Sequence, residues 1–373
     1  MLIKRIIYIV VLFLISASLY AQSLNRTEAV ANDVNRRLDE ALSGRSSPNT
    51  VQTTRDRTRP AWVNNPASAY PRNRYLAQVG FASNRIEAEK RALAALVAYF
   101  GQSIRADSVV STTYSEAVTN GILNVSENTQ IKDLIVTAAS MDSLIGAEIG
   151  NVWDDGRGTV YALAFIESEK LILIYTEIIQ MNQRNIDTLV TMSATQKNTF
   201  DGYARYKLAA LLANMNAEYA NMISLAGGST ASLTMTVANT LTLEATNIIR
   251  NISVGFNVNG DQNNRIRDAF AKVFSSEGLR TQGSNTPYIL NVTINMNEVK
   301  FPNNNFIFCQ YTINANLIER ATGAVLFPFN HSDREGHTSY ETAQARALLV
   351  MEKFIDERYS ALFKEYLVAL MPK

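Results

Sequence analysis

Between residues 60 and 167 the apolar positions change period several times. The run Tyr75 to Phe81 reads as a strand, with Gly80 inside it where a missing side chain admits close backbone approach. Asn84 followed by Glu87 has the spacing of a capping box, each side chain satisfying an otherwise orphan N–H. The helix that follows is rich in Ala and Leu. It sets Ala88, Ala92, Leu96 and Tyr99 at helical spacing, with Leu93, Val97 and Phe100 beside them, and its small alanines predict a helix lying close on a sheet. Ser108 to Val118 has the β-branched residues of a strand, and a short helix is expected around Ile131 to Ala138. Leu144 to Trp153 and Thr159 to Ile166 then flank Asp154-Asp155-Gly156-Arg157-Gly158, a hairpin in which the paired carboxylates serve turn geometry. Upstream, Pro60-Ala61-Trp62 predicts a rigid extended approach, with Trp62 pinned to the core and able to meet Trp153.

The period then becomes helical. Glu167 to Met192 places Leu171, Ile174, Ile178, Met181 and Leu189 on one side. Asn198 to Leu225 carries a stripe from Tyr203 to Met222 and stops at Gly227-Gly228. Together, residues 168–228 predict a helical hairpin, the best candidate in the chain for a partner groove. Residues 229–251 alternate Thr with Leu, Met and Val, which favours connecting strands, with a helix as the alternative. A second module covers 252–373. Ser253 to Val258 is a strand. Asp261 caps a helix burying Ile266, Phe270, Val273 and Phe274, with Gly278 after its end. Tyr288 to Val299 and Phe306 to Glu319 alternate apolar with polar, and Ala324 to Phe329 forms a third strand. Thr338 and Glu341 open a final helix reaching Leu370. The fold class is α+β: two small strand–helix–strand modules joined by the helical hairpin.

The N-terminus adds an address. Lys4 and Arg5 precede the apolar run Ile6 to Ile15, and small and polar residues lead to Ala21, the three-part pattern of a secretory signal peptide. Residues 1–21 are therefore expected to be removed after Ala21, the alternative being a retained anchor. The only cysteine of the chain is Cys309, so no lipid attaches at the cleavage site and no intramolecular disulfide forms. A helix from Gln22 to Leu42 and a flexible linker to Arg59 fill residues 22–59. That linker holds Arg45, Arg55, Arg57 and Arg59, with no aromatic residues interleaved for stacking on bases. A formal charge of +1 likewise gives nucleic acid no basic face to bind.

Several of these residues carry a resemblance. Pro60-Ala61-Trp62-Val63, the Tyr75 to Gly80 strand, Glu87-Ala88 and the Trp153-Asp154-Asp155-Gly156 hairpin with Tyr161-Ala162-Leu163-Ala164 resemble the twenty-kilodalton Lpp lipoprotein family. That family of bacterial envelope proteins is related to the N-terminal part of the flagellar assembly protein FlgT. The resemblance covers 60–167, about a third of the chain, and brings no catalytic residues. This chain departs from the family in lacking the lipidated cysteine. The 252–373 module looks like the α/β domain of the curli secretion factor CsgG, of penicillin-binding-protein activators and of the N-terminal part of TolB. It does so in topology, in the Gly323 to Phe329 strand and in Asp333-Arg334-Glu335-Gly336. Those relatives imply protein binding.

Candidate chemistry is sparse. His331, Asp333, Glu335 and His337 would project from one side of an extended segment, a donor set able to hold zinc or another divalent ion. The alternative is a solvated strand end. Cys309 sits at an inward strand position and reads as a core residue, since a buried thiol is a weak nucleophile. Gly227-Gly228 lacks the Lys-Ser/Thr of a phosphate loop. The first reading of function is thus a non-enzymatic periplasmic protein of the bacterial envelope. It would bind other envelope proteins, in outer-membrane or flagellar assembly, with no cofactor and no catalytic residues. A metal-binding protein or metalloenzyme using the histidine row is a second reading. A ligand-binding protein with a cleft between its modules is a third.

Overall fold

The structure is a computed structural model and describes residues 58–100, 144, 146–281, 283, 285–302, 304–370 and 372. The signal peptide, the 22–42 helix, nearly all of the linker, the 108–118 strand and the 131–138 helix lie outside the described residues. The fold is α+β, with two sheets among the described residues. Contacts divide the chain into two units. One takes the described residues of Met1–Thr112, Glu127–Gln180 and Ala217–Leu233; the other takes those of Thr113–Ser126, Met181–Asn216 and Thr234–Lys373.

In the first unit, β1 (Tyr75–Ala82), β2 (Glu148–Asp154) and β3 (Val160–Glu167) make an antiparallel sheet in the order β1-β3-β2. Pro60 is extended, as expected, but the next residues turn into a single helical turn, α1 (Ala61–Asn64), which places Trp62 and Val63 on one sheet face with Trp153 and Leu163. The opposite face carries α2 (Arg85–Tyr99), capped by the Asn84 side chain accepting from the Glu87 N–H. Ala88, Ala92 and Leu96 are fully buried there. The next step of four is Phe100, which is buried, so Tyr99 turns outward and is 48% exposed, against the inward position expected from spacing. Gly80 is the contact point. A Cβ on it would lie 2.1 Å from the Ala92 nitrogen and 2.5 Å from the Arg91 carbonyl carbon, both main-chain atoms that cannot give way. The hairpin turn is held as its sequence implies. Asp154 Oδ1 accepts from Gly156 N, and Asp155 Oδ1 accepts from Arg157 N and Thr159 N, with Gly156 at φ 67° and Gly158 at φ 97°.

Two long helices, α3 (Ser168–Val190) and α5 (Phe200–Leu225), contribute residues to both units, with the short α4 (Ala194–Lys197) between them. The positive-φ Gly227 ends α5 in the expected way. On α5 the whole run Leu208 to Ala213 is buried, and a helix stretch apolar on all sides is core. Within the second unit, Asn182 Nδ2 donates to Asn216 Oδ1 at 2.9 Å, fixing the register of the two helices with a buried amide pair.

Residues 229–251 correct the strand expectation, since Ala238–Asn251 is a helix, α6. Its Thr242 and Thr246 hydroxyls donate back to the carbonyls of Ala238 and Thr242, which accommodates β-branched residues on a helix. Leu241, Ala245, Ile248 and Ile249 form its buried stripe. The second sheet runs β4-β5-β6-β7: β4 (Val254–Asn259) is parallel to β5 (Tyr288–Lys300), while β6 (Ile307–Glu319) and β7 (Val325–His337) continue antiparallel. The parallel step is made through α7 (Arg265–Ser276), whose first N–H groups at Ile266 and Arg267 donate to the Asp261 carboxylate. β7 is longer than the expected third strand, because residues 330–337 pair with Ile307 to Asn314 of β6. The last helix starts one residue later than predicted, with Ser339, not Thr338, as its cap. It runs as α8 (Tyr340–Phe354), a π turn (Ile355–Tyr359) and α9 (Ser360–Ala369). The π turn carries Tyr359 into a nest of Phe270, Phe274, Phe329 and Phe363, with ring centroids 4.8 to 6.2 Å away.

Two predictions follow from these contacts. Gly80→Ala forces α2 off the sheet and should cost about 3 kcal/mol, lowering a thermal midpoint by roughly 6–12 °C; a circular dichroism melt unchanged from wild type would contradict the close approach. Tyr359 Oη has no hydrogen-bond partner among the described residues, whereas Tyr288 Oη accepts from the Phe200 N–H at 3.1 Å. Tyr359→Phe should therefore leave stability unchanged or raise it by up to about 1 kcal/mol, while Tyr288→Phe lowers it by about 1 kcal/mol. Denaturant titration of both variants checks the opposite signs.

Candidate functional site

The four residues singled out as a metal set do share one face of β7. Register places His331, Asp333, Glu335 and His337 opposite Ile313, Tyr311, Cys309 and Ile307 of β6. The strand also strings them out. Same-face neighbours stand about 6.7 Å apart, so the row extends about 20 Å and cannot close around one ion. Three of the four have other company: the His331 ring stacks on Phe354 at 3.6 Å and 12°, the Asp333 carboxylate accepts from the Arg334 N–H, and His337 Nδ1 lies 3.1 Å from the Thr338 hydroxyl. Among the described residues no group of three or more His, Cys, Asp or Glu is placed to hold a metal. The row acts instead on Tyr311, whose buried hydroxyl is pushed up to about 12, first by desolvation and then by the Asp333 and Glu335 carboxylates. Cys309 is buried, and burial raises its thiol, as a core position requires.

Lys207 is the lysine the environment perturbs most plainly. Burial pulls its ammonium down to about 8. Its Nζ donates to the Leu367 and Val368 carbonyls at 2.7 and 3.0 Å, at the end of α9, so its protons serve a helix C-terminus. A shallow groove between α7 and α8 is charged, but its charges already pair: Arg265 grips Glu352 through two bonds of 2.6 and 2.8 Å, and Lys272 meets Asp356 at 2.8 Å.

The arrangement best suited to recognition is in the first unit. A cleft of about 320 Å³ is lined by Tyr75, Leu76, Ala77 and Gln78 in succession. Successive strand residues point to opposite faces, so a cleft touching all four lies along the strand's edge. Among the described residues β1 is paired only on its β3 side. One wall is the turn carrying Pro66, Ala67 and Tyr70; the other holds Tyr99 and Leu225, which is 50% exposed. Tyr70 is fixed by its neighbours. Its ring stacks on Phe165 at 4.3 Å and meets Tyr75 edge-on at 5.4 Å. Its hydroxyl occupies the space a side chain at Gly150 would need, 2.0 Å from a Cβ built there. Burial, then Tyr75 and Glu148, push that hydroxyl above its ordinary range, so it stays neutral and able to donate. Arg72 is the exposed cation of the lining. The described lining holds open strand backbone, aromatic rings, an amide and a guanidinium, with no carboxylate, imidazole or thiol. Of these residues, sequence reasoning named Tyr75 and Tyr99 only as parts of elements and missed Tyr70, Pro66 and Arg72. The interleaving of Pro66, Tyr70, Pro71 and Tyr75 was the available signal.

No family model and no curated protein matches this sequence. The resemblance of 60–167 to the Lpp family thus rests on its residues alone. Among solved structures, a secreted protein from Helicobacter pylori aligns at 15% identity with a TM-score of 0.42, over 80% of this chain and 99% of that one. A minor lipoprotein from Acinetobacter baumannii aligns at 11% identity with a TM-score of 0.23, over 31% of this chain and 92% of that one. At these scores the likeness carries neither fold nor function to this chain.

One prediction concerns pH. Burial lowers the His331 imidazole from its ordinary value, the Asp333 carboxylate opposing it less strongly. The folded state then binds the proton less readily than the unfolded chain. This contribution is complete above about pH 6.5 and is lost as pH falls below it. The melting midpoint should drop between neutral pH and about pH 5, and His331→Phe, which keeps the ring stack, should drop less. Equal drops in the two proteins would refute it.

Proposed function

We propose that the chain is a non-enzymatic protein of the bacterial cell envelope that binds an extended segment of a partner protein along the open edge of β1. The observation that carries this reading is the cleft lined by four consecutive residues of an edge strand. Among the described residues the outward N–H and C=O of Ala77 and the C=O of Tyr75 are left to bond an incoming strand, the Tyr75 N–H being held by the Pro71 carbonyl, and the flanking Tyr70, Tyr99 and Leu225 give its side chains pockets, the physical basis of strand addition. Export is supported by Lys4-Arg5, the apolar run to Ile15 and the small-residue site at Ala21, and an envelope role by the resemblance of 60–167. No described helix is long and apolar enough to cross a membrane. Outer-membrane or flagellar assembly is the setting that resemblance suggests.

A photo-crosslinking amino acid at Leu225 in intact cells tests this. It should give an adduct with an envelope protein that disappears in Tyr99→Glu and when the crosslinker is moved to Leu349, exposed on α8. The purified chain should begin at Gln22. Adducts unaffected by Tyr99→Glu would refute the cleft, and a cytosolic chain beginning at Met1 would refute export.

A further inference from the structure

We infer, resting on the strand-addition reading above, that the segment β1 receives is the C-terminal end of a partner chain, running antiparallel to β1 with its terminal carboxylate on Arg72. The start of β1 is closed to a strand that passes through. The Arg74 and Tyr75 N–H groups both donate to the Pro71 carbonyl at 3.0 Å, so Pro71 fills the place beside Tyr75 where an added strand would set its own carbonyl. Register fixes what remains. The Arg74 carbonyl accepts from the Ser168 N–H at 2.8 Å, on the β3 side. Leu76 and Gln78, two and four residues on, therefore also turn their backbone groups to β3, and Tyr75 and Ala77 turn theirs outward. Ala77 offers an N–H and a C=O, the set that one residue of an antiparallel neighbour exchanges. Tyr75 offers a C=O alone. Its opposite number in the added strand must give an N–H and has none to receive. The last residue of a chain meets that demand, because its carboxylate can leave the ladder.

Charge decides which chain end it is. Arg72 is exposed in the turn between Pro71 and Tyr75 and lines the cleft. Among the described residues it makes no ion pair, whereas Arg74 beside it meets Glu167 at 3.3 Å. The described lining holds no carboxylate, so this end of the cleft attracts an anion and repels an amino terminus. A guanidinium also matches a carboxylate with two parallel hydrogen bonds. A C-terminus held at the start of β1 makes the added strand antiparallel, which is the direction that uses both outward groups of Ala77. Side chains follow by alternation. Leu76 shares the face of Gly80, on which α2 lies, so the partner's penultimate side chain points to the side of Tyr99 and is apolar.

The test offers the full-length protein a library of synthetic N-acetylated hexapeptides with free C-termini, and the same library made as C-terminal amides. The strongest free-acid binder is then titrated as acid and as amide by fluorescence anisotropy. The acid should bind roughly tenfold tighter or more and carry an apolar penultimate residue. Its advantage should shrink as salt rises from roughly 0.05 to 0.5 M. Arg72→Gln should bring the acid down to the affinity of the amide and leave the amide unchanged. That residue is exposed, so the melting midpoint should stay within about 1 °C of wild type. Tyr99→Glu should abolish binding of both. Equal binding of acid and amide, still lost in Tyr99→Glu, would overturn the chain-end inference and leave strand addition standing. No binder from either library, or an acid preference that persists in Arg72→Gln, would overturn it too, while the crosslinks from Leu225 decide the edge reading separately.

Discussion

The distance between helix and sheet, set by residues too small to hold them apart, governs both units. In the first unit Gly80 brings β1 against the backbone of α2 at Ala88 and Ala92, both fully buried. In the second, α8 presents Ala343 and Ala347, also fully buried, and packs on β6 and β7. Interiors are packed like crystals, so a layer spacing fixed at one point fixes which neighbouring side chains have room inside. On α2, the series Ala88, Ala92, Leu96 and Phe100 takes the inner places in steps of four. Tyr99 is left to project from the end of the helix, where it becomes a wall of the cleft beside β1. The shape of the cleft is thus a by-product of how closely the helix lies.

Much of this was legible in the chain because the signals were local. The Asn84 cap, the Asp154–Gly158 turn, the Asp261 cap and the alternation of β5 and β6 each depend on residues a few positions apart, and each formed. The segment 238–251 misled because β-branched threonines favour strands on average. Their hydroxyls, bonded to carbonyls four residues back, removed that preference in place. The metal set misled for a geometric reason. Sequence gives the side on which residues project but not their convergence, and His331 to His337 share a face without sharing a centre.

The cleft could not be read this way. Its floor is a strand edge, and which edge is unpaired among the described residues depends on the order β1-β3-β2, a pairing of residues distant in sequence, Tyr75 with Glu167 and Ala82 with Val160. Its anchor, Tyr70, is held by Phe165 and by the absence of a side chain at Gly150, neither of them near it in sequence. Motif reasoning looks for reactive groups, whereas this site is made of backbone and rings.

The second sheet makes a related point about charge. Its inner side collects the aromatic residues around Tyr359, along with a row of histidines and carboxylates toward one end of β7. Its outer side, on the same strands, mixes amides and hydroxyls with Arg334, Val299 and Phe308. The helices of this unit carry ion pairs of their own, where Arg265 meets Glu352 and Lys272 meets Asp356.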